Sequence, residues 1–260
     1  MRLDVYLAEH GFAESRERAK RLIVAGQVLV NGKTADKPSA EVTGEPEIEV
    51  LSTNDFVGRG GQKLEEALRV FGVDPKGVRA LDIGASTGGF TDCLLRHGAV
   101  QVVALDAGCD QLHPKLRADS RVINIEKYNA RNLAVADVGR VSLAVMDVSF
   151  ISQTYILPRL PEVLTENGCA ITLIKPQFEA GRGALNKKGL VKSPRDRIMA
   201  IQRVLTAAAA CGLICRGLAP SPIRGGDGNE EYLAYFTLGE VGETVNIAVE
   251  KTVLEGAIAL

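Results

Sequence analysis

The spacing of apolar and polar positions changes after the first quarter of the chain. Apolar residues recur at helical spacing over residues 2–10 and again over 16–25, where Ser15 is placed to cap the second helix. Residues 27–30 then read as a strand, and Asn31 with Gly32 is a strong signal for a tight hairpin turn. This part of the sequence predicts a small α+β unit of two helices and a hairpin.

A second pattern begins after the polar, turn-prone segment 52–55, so we predict two domains, 1–54 and 55–260. Apolar strands alternate with helical segments through most of the second domain. The predicted strands are 80–83, 101–106, 121–125, 144–147, 168–174, 213–219 and 231–237, and the predicted helices are 90–97, 155–164, 195–211 and 244–258. This alternation predicts an α/β domain of the doubly wound, Rossmann-like kind, with a largely parallel sheet covered on both faces.

The composition is that of a soluble globular protein, with 46% hydrophobic and 24% charged residues. No apolar run approaches the roughly 20 residues that span a bilayer, and the charged start of the chain lacks the apolar core of a signal peptide. The five cysteines are scattered and show no metal-ligand spacing. We therefore expect a cytoplasmic protein with reduced thiols, no bound metal and no membrane partner.

Positive and negative charges are concentrated in different segments of the chain. The formal net charge is −1, yet segment 16–37 carries six Lys or Arg against two Asp or Glu, and segment 41–49 carries four acids and no base. A basic helix holding Arg16, Arg18 and Lys20, followed by a turn with Lys33, is a plausible surface for RNA phosphates. The alternative is an ordinary solvated helix face.

A glycine-rich loop follows the first strand of the second domain and opens a helix, which indicates a nucleotide-type cofactor. The loop 84–89 has no Gly-Lys-Ser/Thr sequence and does not fit the Gly-x-Gly-x-x-Gly pattern of dinucleotide sites. Asp82 lies two residues before the first glycine, where an acid would repel a pyrophosphate but attract a cation. S-adenosylmethionine, with its ammonium and sulfonium groups, fits this position.

Further acids and amides complete the predicted cofactor site. Asp106 ends the next strand and is placed to accept both hydroxyls of an adenosine ribose. Glu126 and Asn129 follow a third strand, where an adenine contact is expected. The alternative for Asp82 and Asp106 is a helix cap and a turn acid. The predicted cofactor residues are Asp82, Gly84, Ser86, Gly88, Gly89, Phe90, Asp106, Glu126 and Asn129.

Four polar residues form a candidate catalytic set: Lys63 in a glycine-rich turn, Asp147 and Lys175 at strand ends, and Glu231. A lysine that directly follows a buried strand and precedes a proline is an unusual surface residue. As a neutral amine it could take the proton of a ribose hydroxyl, helped by burial and by a second cation, while the two acids orient the amines. Any one of the four alone could instead be a structural ion-pair partner.

These residues resemble the TlyA, or hemolysin A-like, family, which is related to the FtsJ-type ribose 2'-O-methyltransferases. The shared motifs are RLD (2–4), SRERA (15–19), VLVNG (28–32), GRGG (58–61), DIGASTGGFTD (82–92), DVSFIS (147–152), KPQFE (175–179) and GDGNEE (226–231). The resemblance implies a Lys-Asp-Lys-Glu tetrad on the four catalytic positions and methylation of cytidine ribose in ribosomal RNA. It also implies a ribosomal-protein-S4-type RNA-binding domain, in which Arg2, Ser15 and Asn31 join the basic residues at the RNA.

Three other functions stay open at this point. The family name suggests a membrane-active hemolysin, although the terminal helical segment 244–258 carries Glu250 and Glu255 with only one lysine. A non-catalytic RNA-binding factor for ribosome assembly would keep the same fold. A methyltransferase acting on a base or a protein would keep the same donor.

Overall fold

A computed structural model describes residues 1–13, 15–24, 26–44, 46–50 and 56–260. The chain divides into two compact units, Met1–Asp55 and Phe56–Leu260. The predicted domain boundary after Asn54 falls in the segment 51–55, which lies outside the described residues.

The first unit packs two helices against a small antiparallel sheet of order β2-β1-β3. Its elements are α1 (Leu3–Glu9), α2 (Arg16–Val24), β1 (Val28–Val30), β2 (Lys33–Thr34) and β3 (Ile48–Val50). The hydroxyl of Ser15 accepts the backbone N–H of Arg18 at 3.2 Å, as predicted for the cap of α2. Asn31 and Gly32 have φ of 51° and 75° and join β1 to β2, which confirms the tight turn. Ala25, the predicted last residue of α2, lies outside the described residues.

The second unit contains a seven-stranded sheet of order β6-β5-β4-β7-β8-β10-β9. Its strands are β4 (Arg79–Ile83), β5 (Gln101–Leu105), β6 (Val122–Ile125), β7 (Val141–Met146), β8 (Leu164–Ile174), β9 (Leu213–Pro220) and β10 (Tyr232–Leu238). The strands from β4 to β8 are parallel, whereas β10 runs antiparallel to β8 and β9. Strand β10 is reversed because a loop without a crossover helix joins it to β9.

Helices cover both faces of this sheet, as the alternation of elements predicts. The described helices are α3 (Gly60–Phe71), α4 (Gly89–Arg96), α5 (Pro114–Arg117), α6 (Val135–Val138), α7 (Leu160–Val163), α8 (Pro176–Glu179), α9 (Pro194–Ala209) and α10 (Val249–Glu255). Alternate strand residues enter two separate cores: Ala80 and Val102 pack with α3 and α4, and Leu81 and Val103 lie in the core that includes α9 and α10. The doubly wound α/β fold is confirmed.

Three predicted elements were wrong. The helix 155–164 is replaced by two 3-10 turns and the short α7, because Pro158 and Pro161 lack the N–H that a continuous helix needs. The terminal helix is confined to α10 and ends where Gly256 turns to φ +69°. Lys63 lies in the first turn of α3, a twelve-residue helix, and not in a glycine-rich turn.

Candidate active site

Three of the four predicted catalytic residues lie at one edge of the sheet. Asp147 directly follows β7 and Lys175 directly follows β8, while Glu231 directly precedes the reversed strand β10. Because β7, β8 and β10 are neighbours, the three residues stand side by side. Lys63 reaches the same place from α3.

The four residues form two ion pairs. The Nζ of Lys175 lies 2.6 Å from Oδ1 of Asp147, and the Nζ of Lys63 donates to Oε2 of Glu231. The two lysines are 9% and 7% exposed and Glu231 is 4% exposed. Charges are retained at such depth only when they are paired. A Cβ built on Gly60 would lie 3.8 Å from Oδ2 of Asp147, so the helix that carries Lys63 begins beside the other pair.

A cavity of about 420 Å³ opens beside the Lys175 pair, at the ends of β4, β5 and β7. Asp147 and Ser149 line it, and the Nζ of Lys175 also donates to Oγ of Ser149 at 2.8 Å. Its volume is within the range of sites for small molecules and cofactors. The lysine amine is therefore held against the wall of a cofactor-sized cavity.

The glycine-rich loop forms one side of this cavity and requires its glycines for space as well as for backbone angles. Gly84 has φ +85°, and a Cβ at this position would lie 2.6 Å from the carbonyl oxygen of Asp147. At Gly89 a Cβ would lie 2.9 Å from the backbone nitrogen of Gly61, so α4 and α3 approach each other backbone to backbone. The loop can thus fit closely between β7 and α3 only without side chains.

Asp82 lies beneath the loop and is fully buried. Its Oδ2 accepts the hydroxyl of Thr91 at 2.7 Å, and its Oδ1 has no hydrogen-bond partner among the described residues. Burial, together with the negative charges of Asp147 and Asp106, raises the pKa of Asp82 to about 7 against the opposing hydrogen bonds from Thr91. An unpartnered carboxylate oxygen among other acids suits a positively charged ligand.

Four of the predicted cofactor residues line the cavity: Gly84, Ser86, Asp106 and Asn129. The two carboxylate oxygens of Asp106 accept the backbone N–H groups of Ser86 at 2.8 Å and Gly108 at 2.6 Å. Each oxygen keeps a second lone pair that could accept a ribose hydroxyl. The side chain of Asn129 also caps the 3-10 turn that follows it.

The other predicted cofactor residues do not line this cavity. Gly88, Gly89 and Phe90 form the start of α4, where the Phe90 ring is buried. Glu126 accepts the backbone N–H of Asp110 at 3.0 Å and pairs with Arg117 at 2.9 Å. These positions shape the surroundings of the cavity and do not face it.

Two aromatic residues that the sequence pattern did not indicate, Phe150 and Phe178, lie at or next to the cavity. Phe150 lines the cavity, is 92% exposed and has φ +63°, an unusual conformation for a large side chain. Its ring centroid is 5.2 Å from that of Phe178 on α8. The only signal in the sequence was the position of each residue, three after Asp147 and three after Lys175. Phe150 directly follows Ser149, which accepts the hydrogen bond from the lysine amine, so the ring pair lies on that side of the cavity.

The predicted RNA-contacting residues lie in the first unit. Arg2 and Arg16 both pair with the buried Asp4, at 3.0 and 2.8 Å, and their side chains are about half exposed. Lys20 pairs with Glu17, and Lys33 is exposed on the hairpin. The side chain of Asn31 is used inside the unit, where it accepts the N–H of Glu47 at 2.9 Å. Asp4 thus fixes the position of two arginines on the surface.

Comparison with known families matches both units. Residues 56–238 match the FtsJ-like methyltransferase model, and residues 1–48 match the S4 domain. Among the described residues no helix combines the length and the apolar character needed to cross a membrane. Both matches agree with the family resemblance of the motifs.

Relatives of similar length belong to the same family. The 16S/23S rRNA (cytidine-2'-O)-methyltransferase TlyA of Mycobacterium tuberculosis is 40% identical over 90% of this chain and 89% of its own. Hemolysin A of Brachyspira hyodysenteriae is 43% identical over 92% and 100%. A solved candidate hemolysin from Streptococcus thermophilus is 39% identical, covers 98% of this chain and 95% of its own, and superposes with a TM-score of 0.76. The chain therefore belongs to the FtsJ-like methyltransferase family and carries an S4 domain ahead of its methyltransferase domain.

Proposed function

We propose that this protein uses S-adenosylmethionine to methylate a ribose 2'-hydroxyl in ribosomal RNA, with cytidine as the modified nucleoside. The observation that carries the proposal is the ion pair of the buried Lys175 with Asp147, which Ser149 connects to the wall of a cofactor-sized cavity. The nature of the RNA follows from relatives that are named as rRNA (cytidine-2'-O)-methyltransferases.

The residues around the cavity fit a cationic methyl donor. Gly84, Ser86, Asp106 and Asn129 would hold it, and Asp82 would act from beneath the loop through its negative charge. When bound, S-adenosylmethionine supplies a methyl group on a positively charged sulfur. Asp106 would accept the ribose hydroxyls of the donor, since both of its oxygens are fixed by backbone N–H groups at the cavity wall.

The Nζ of Lys175 is the group that takes the proton of the acceptor hydroxyl. As the hydroxyl oxygen is methylated, its proton would pass to the Nζ of Lys175, which must first have released a proton of its own. Asp147 and Ser149 hold the amine in place and stabilise the ammonium that results. Lys63, fixed by Glu231, keeps a second positive charge near the reacting groups. Proton transfer of this kind contributes a factor of about 10² to 10⁴ in rate.

Two surfaces would hold the RNA. The rings of Phe150 and Phe178 would stack on a base next to the acceptor ribose, and stacking of this kind contributes about 1–3 kcal/mol per base. The S4 domain would contact phosphates farther along the chain. Its contact residues would be the RNA-contacting positions predicted in the first unit: Arg2, Ser15, Arg16, Arg18, Lys20, Asn31 and Lys33.

Transfer of a radioactive methyl group tests the proposal. The full chain is incubated with labelled S-adenosylmethionine and either ribosomal subunits or extracted ribosomal RNA, and the RNA is digested to nucleosides. We expect label in 2'-O-methylcytidine. Lys175→Met should lower the rate of methyl transfer at least about 100-fold, because the proton acceptor is lost, and it should leave the binding of S-adenosylmethionine unchanged. Lys76→Met, at an exposed position before β4, is the matched control.

Other results would assign a different function. Label in a base or in a ribosomal protein would contradict ribose methylation. Binding of RNA without any transfer of label would favour the non-catalytic assembly factor. Leakage of liposomes by the pure protein, again without transfer, would favour the membrane-active hemolysin.

A further inference from the structure

A second concentration of positive charge lies in the methyltransferase domain. Segment 182–195, here called the basic loop, carries five Lys or Arg and no Asp or Glu, although the whole chain has a net charge of −1. All five basic side chains are exposed: Arg182, Lys187, Lys188, Lys192 and Arg195. The basic loop begins seven residues after Lys175 and ends in the first turn of α9.

The basic loop is fastened beside the catalytic residues. The side chain of Asn229, which is 4% exposed, accepts the backbone N–H of Val191 at 3.0 Å and donates to the carbonyl of Gly189 at 3.1 Å. Asn229 lies two residues before Glu231. Because one end of the loop follows Lys175 and its middle is bound next to Glu231, the loop stands at the edge of the sheet where the acceptor must enter.

The loop is also ordered internally. The side-chain oxygen of Asn186 accepts the N–H groups of Lys188 at 2.8 Å and Leu190 at 3.0 Å, and Leu185 forms an antiparallel bridge with Val191. These contacts place Lys187 and Lys188 at the tip of a small turn. A surface that is already ordered loses less entropy when it binds a partner.

The charge of the basic loop is not neutralised in the part of the chain that the structure describes. No ion pair there involves any of its five basic side chains, whereas the nearby Arg197 and Arg224 both pair with Glu230 at 3.2 Å. Five uncompensated positive charges on one ordered loop form a surface for a polyanion. The position of the loop beside Lys175 and Glu231 makes the acceptor RNA the polyanion that can reach it during the reaction.

We propose that the basic loop binds the phosphates of the RNA strand that carries the acceptor ribose, and so forms an RNA contact of the methyltransferase domain itself. This inference rests on the proposed function. Each lysine that neutralises a phosphate of single-stranded RNA contributes about 0.7 to the slope of log affinity against log salt concentration. At 0.15 M salt that slope corresponds to about a fourfold gain in affinity for each contact.

The test compares two double variants of the full chain. Lys187→Ala/Lys188→Ala removes the tip of the basic loop, and Lys76→Ala/Arg140→Ala removes two exposed charges that precede β4 and β7, at the opposite edge of the sheet. We expect the loop variant to raise KM for ribosomal RNA roughly tenfold at 0.15 M salt with little change in kcat, and the control to behave as wild type. Donor binding and thermal unfolding, measured on both, establish that the variants are folded.

Binding of polycytidylic acid at several salt concentrations gives a second readout that needs no catalysis. The slope for the loop variant should be shallower than that of wild type by about 1.4, and a charge-reversing Lys187→Glu/Lys188→Glu variant should bind more weakly still. An unchanged slope and KM in the loop variant, or an equal change in the control, would overturn the proposal. A wild-type protein that transfers no methyl group would refute the proposed function, while the slopes would still decide whether the basic loop binds RNA.

Discussion

Replacement of Asp82 by asparagine would separate the effect of this buried carboxylate on stability from its effect on donor binding. Asparagine has nearly the same shape and keeps an oxygen for the hydroxyl of Thr91, but it carries no charge. Burial raises the pKa of Asp82 to about 7, whereas in the unfolded chain the pKa is about 3.9. The folded state therefore holds a proton that the unfolded chain has released, so the stability of the wild type falls as the pH rises from about 4 to about 7 and then levels off.

The size of the effect follows from this difference in pKa. One pKa unit corresponds to about 1.36 kcal/mol, so a folded pKa of about 7 removes up to about 3 kcal/mol of stability between pH 5 and pH 8. Relaxation around the charge makes this an upper value, and we expect about 1–3 kcal/mol. Asp82→Asn should lack this loss, because its side chain does not titrate. The variant should therefore gain stability relative to wild type as the pH rises.

Urea unfolding of both proteins at pH 5 and pH 8, followed by circular dichroism, measures the difference. Asp227→Asn, at an exposed position, is the control and should follow the wild type at both pH values. Titration calorimetry at pH 8 should show weaker binding of S-adenosylmethionine to Asp82→Asn, since the negative charge under the loop is gone. Equal pH dependence of unfolding in wild type and Asp82→Asn would refute the reasoning.

Two further predictions concern the loop and the second ion pair. Gly84→Ala should lower the affinity for S-adenosylmethionine at least tenfold, because its Cβ would meet the backbone carbonyl oxygen of Asp147 at the end of β7. The control Gly77→Ala is also at positive φ but in open space. It should cost only about 1–2 kcal/mol of stability and leave that affinity unchanged. Lys63→Met should destabilise the fold by about 3–5 kcal/mol, because it leaves Glu231 buried and unpaired. The double variant Lys63→Met/Glu231→Gln should recover most of that stability, measured by thermal unfolding, but not the methyl-transfer activity. Full activity in the double variant would contradict the role of the pair.

Parallel topology explains why part of the site could be predicted from the sequence. Once the strands are recognised, the residues that follow them must meet at one edge of the sheet, which is how Asp106, Asp147 and Lys175 come together. The alternation along β4 also indicates which face of the sheet carries the side chain of Asp82. Asp82 shares a face with Ala80, so its side chain belongs beneath α4 and not in the cavity.

Other parts of the site depend on contacts that local sequence does not encode. Lys63 reaches Glu231 across 168 positions of the chain, and its helix begins at a pair of glycines that reads locally as a turn. Phe150 is exposed with positive φ, although its type predicts burial. The hydrogen bonds of Asn229 to the basic loop likewise depend on tertiary structure. In each case a distant partner determines where the side chain lies.

The two lysines and two acids of the site set its net charge. The four residues carry no net charge when both ion pairs are formed, and a net charge of −1 once Lys175 has released a proton, so that Asp147 and Asp106 then favour a cationic donor beside the cavity. In the proposed reaction, the proton of the acceptor hydroxyl would restore a positive charge on Lys175. Asp147 lies 2.6 Å from that amine and is already in place to stabilise it. The ordered acids can therefore favour both the start and the end of the reaction without rearranging.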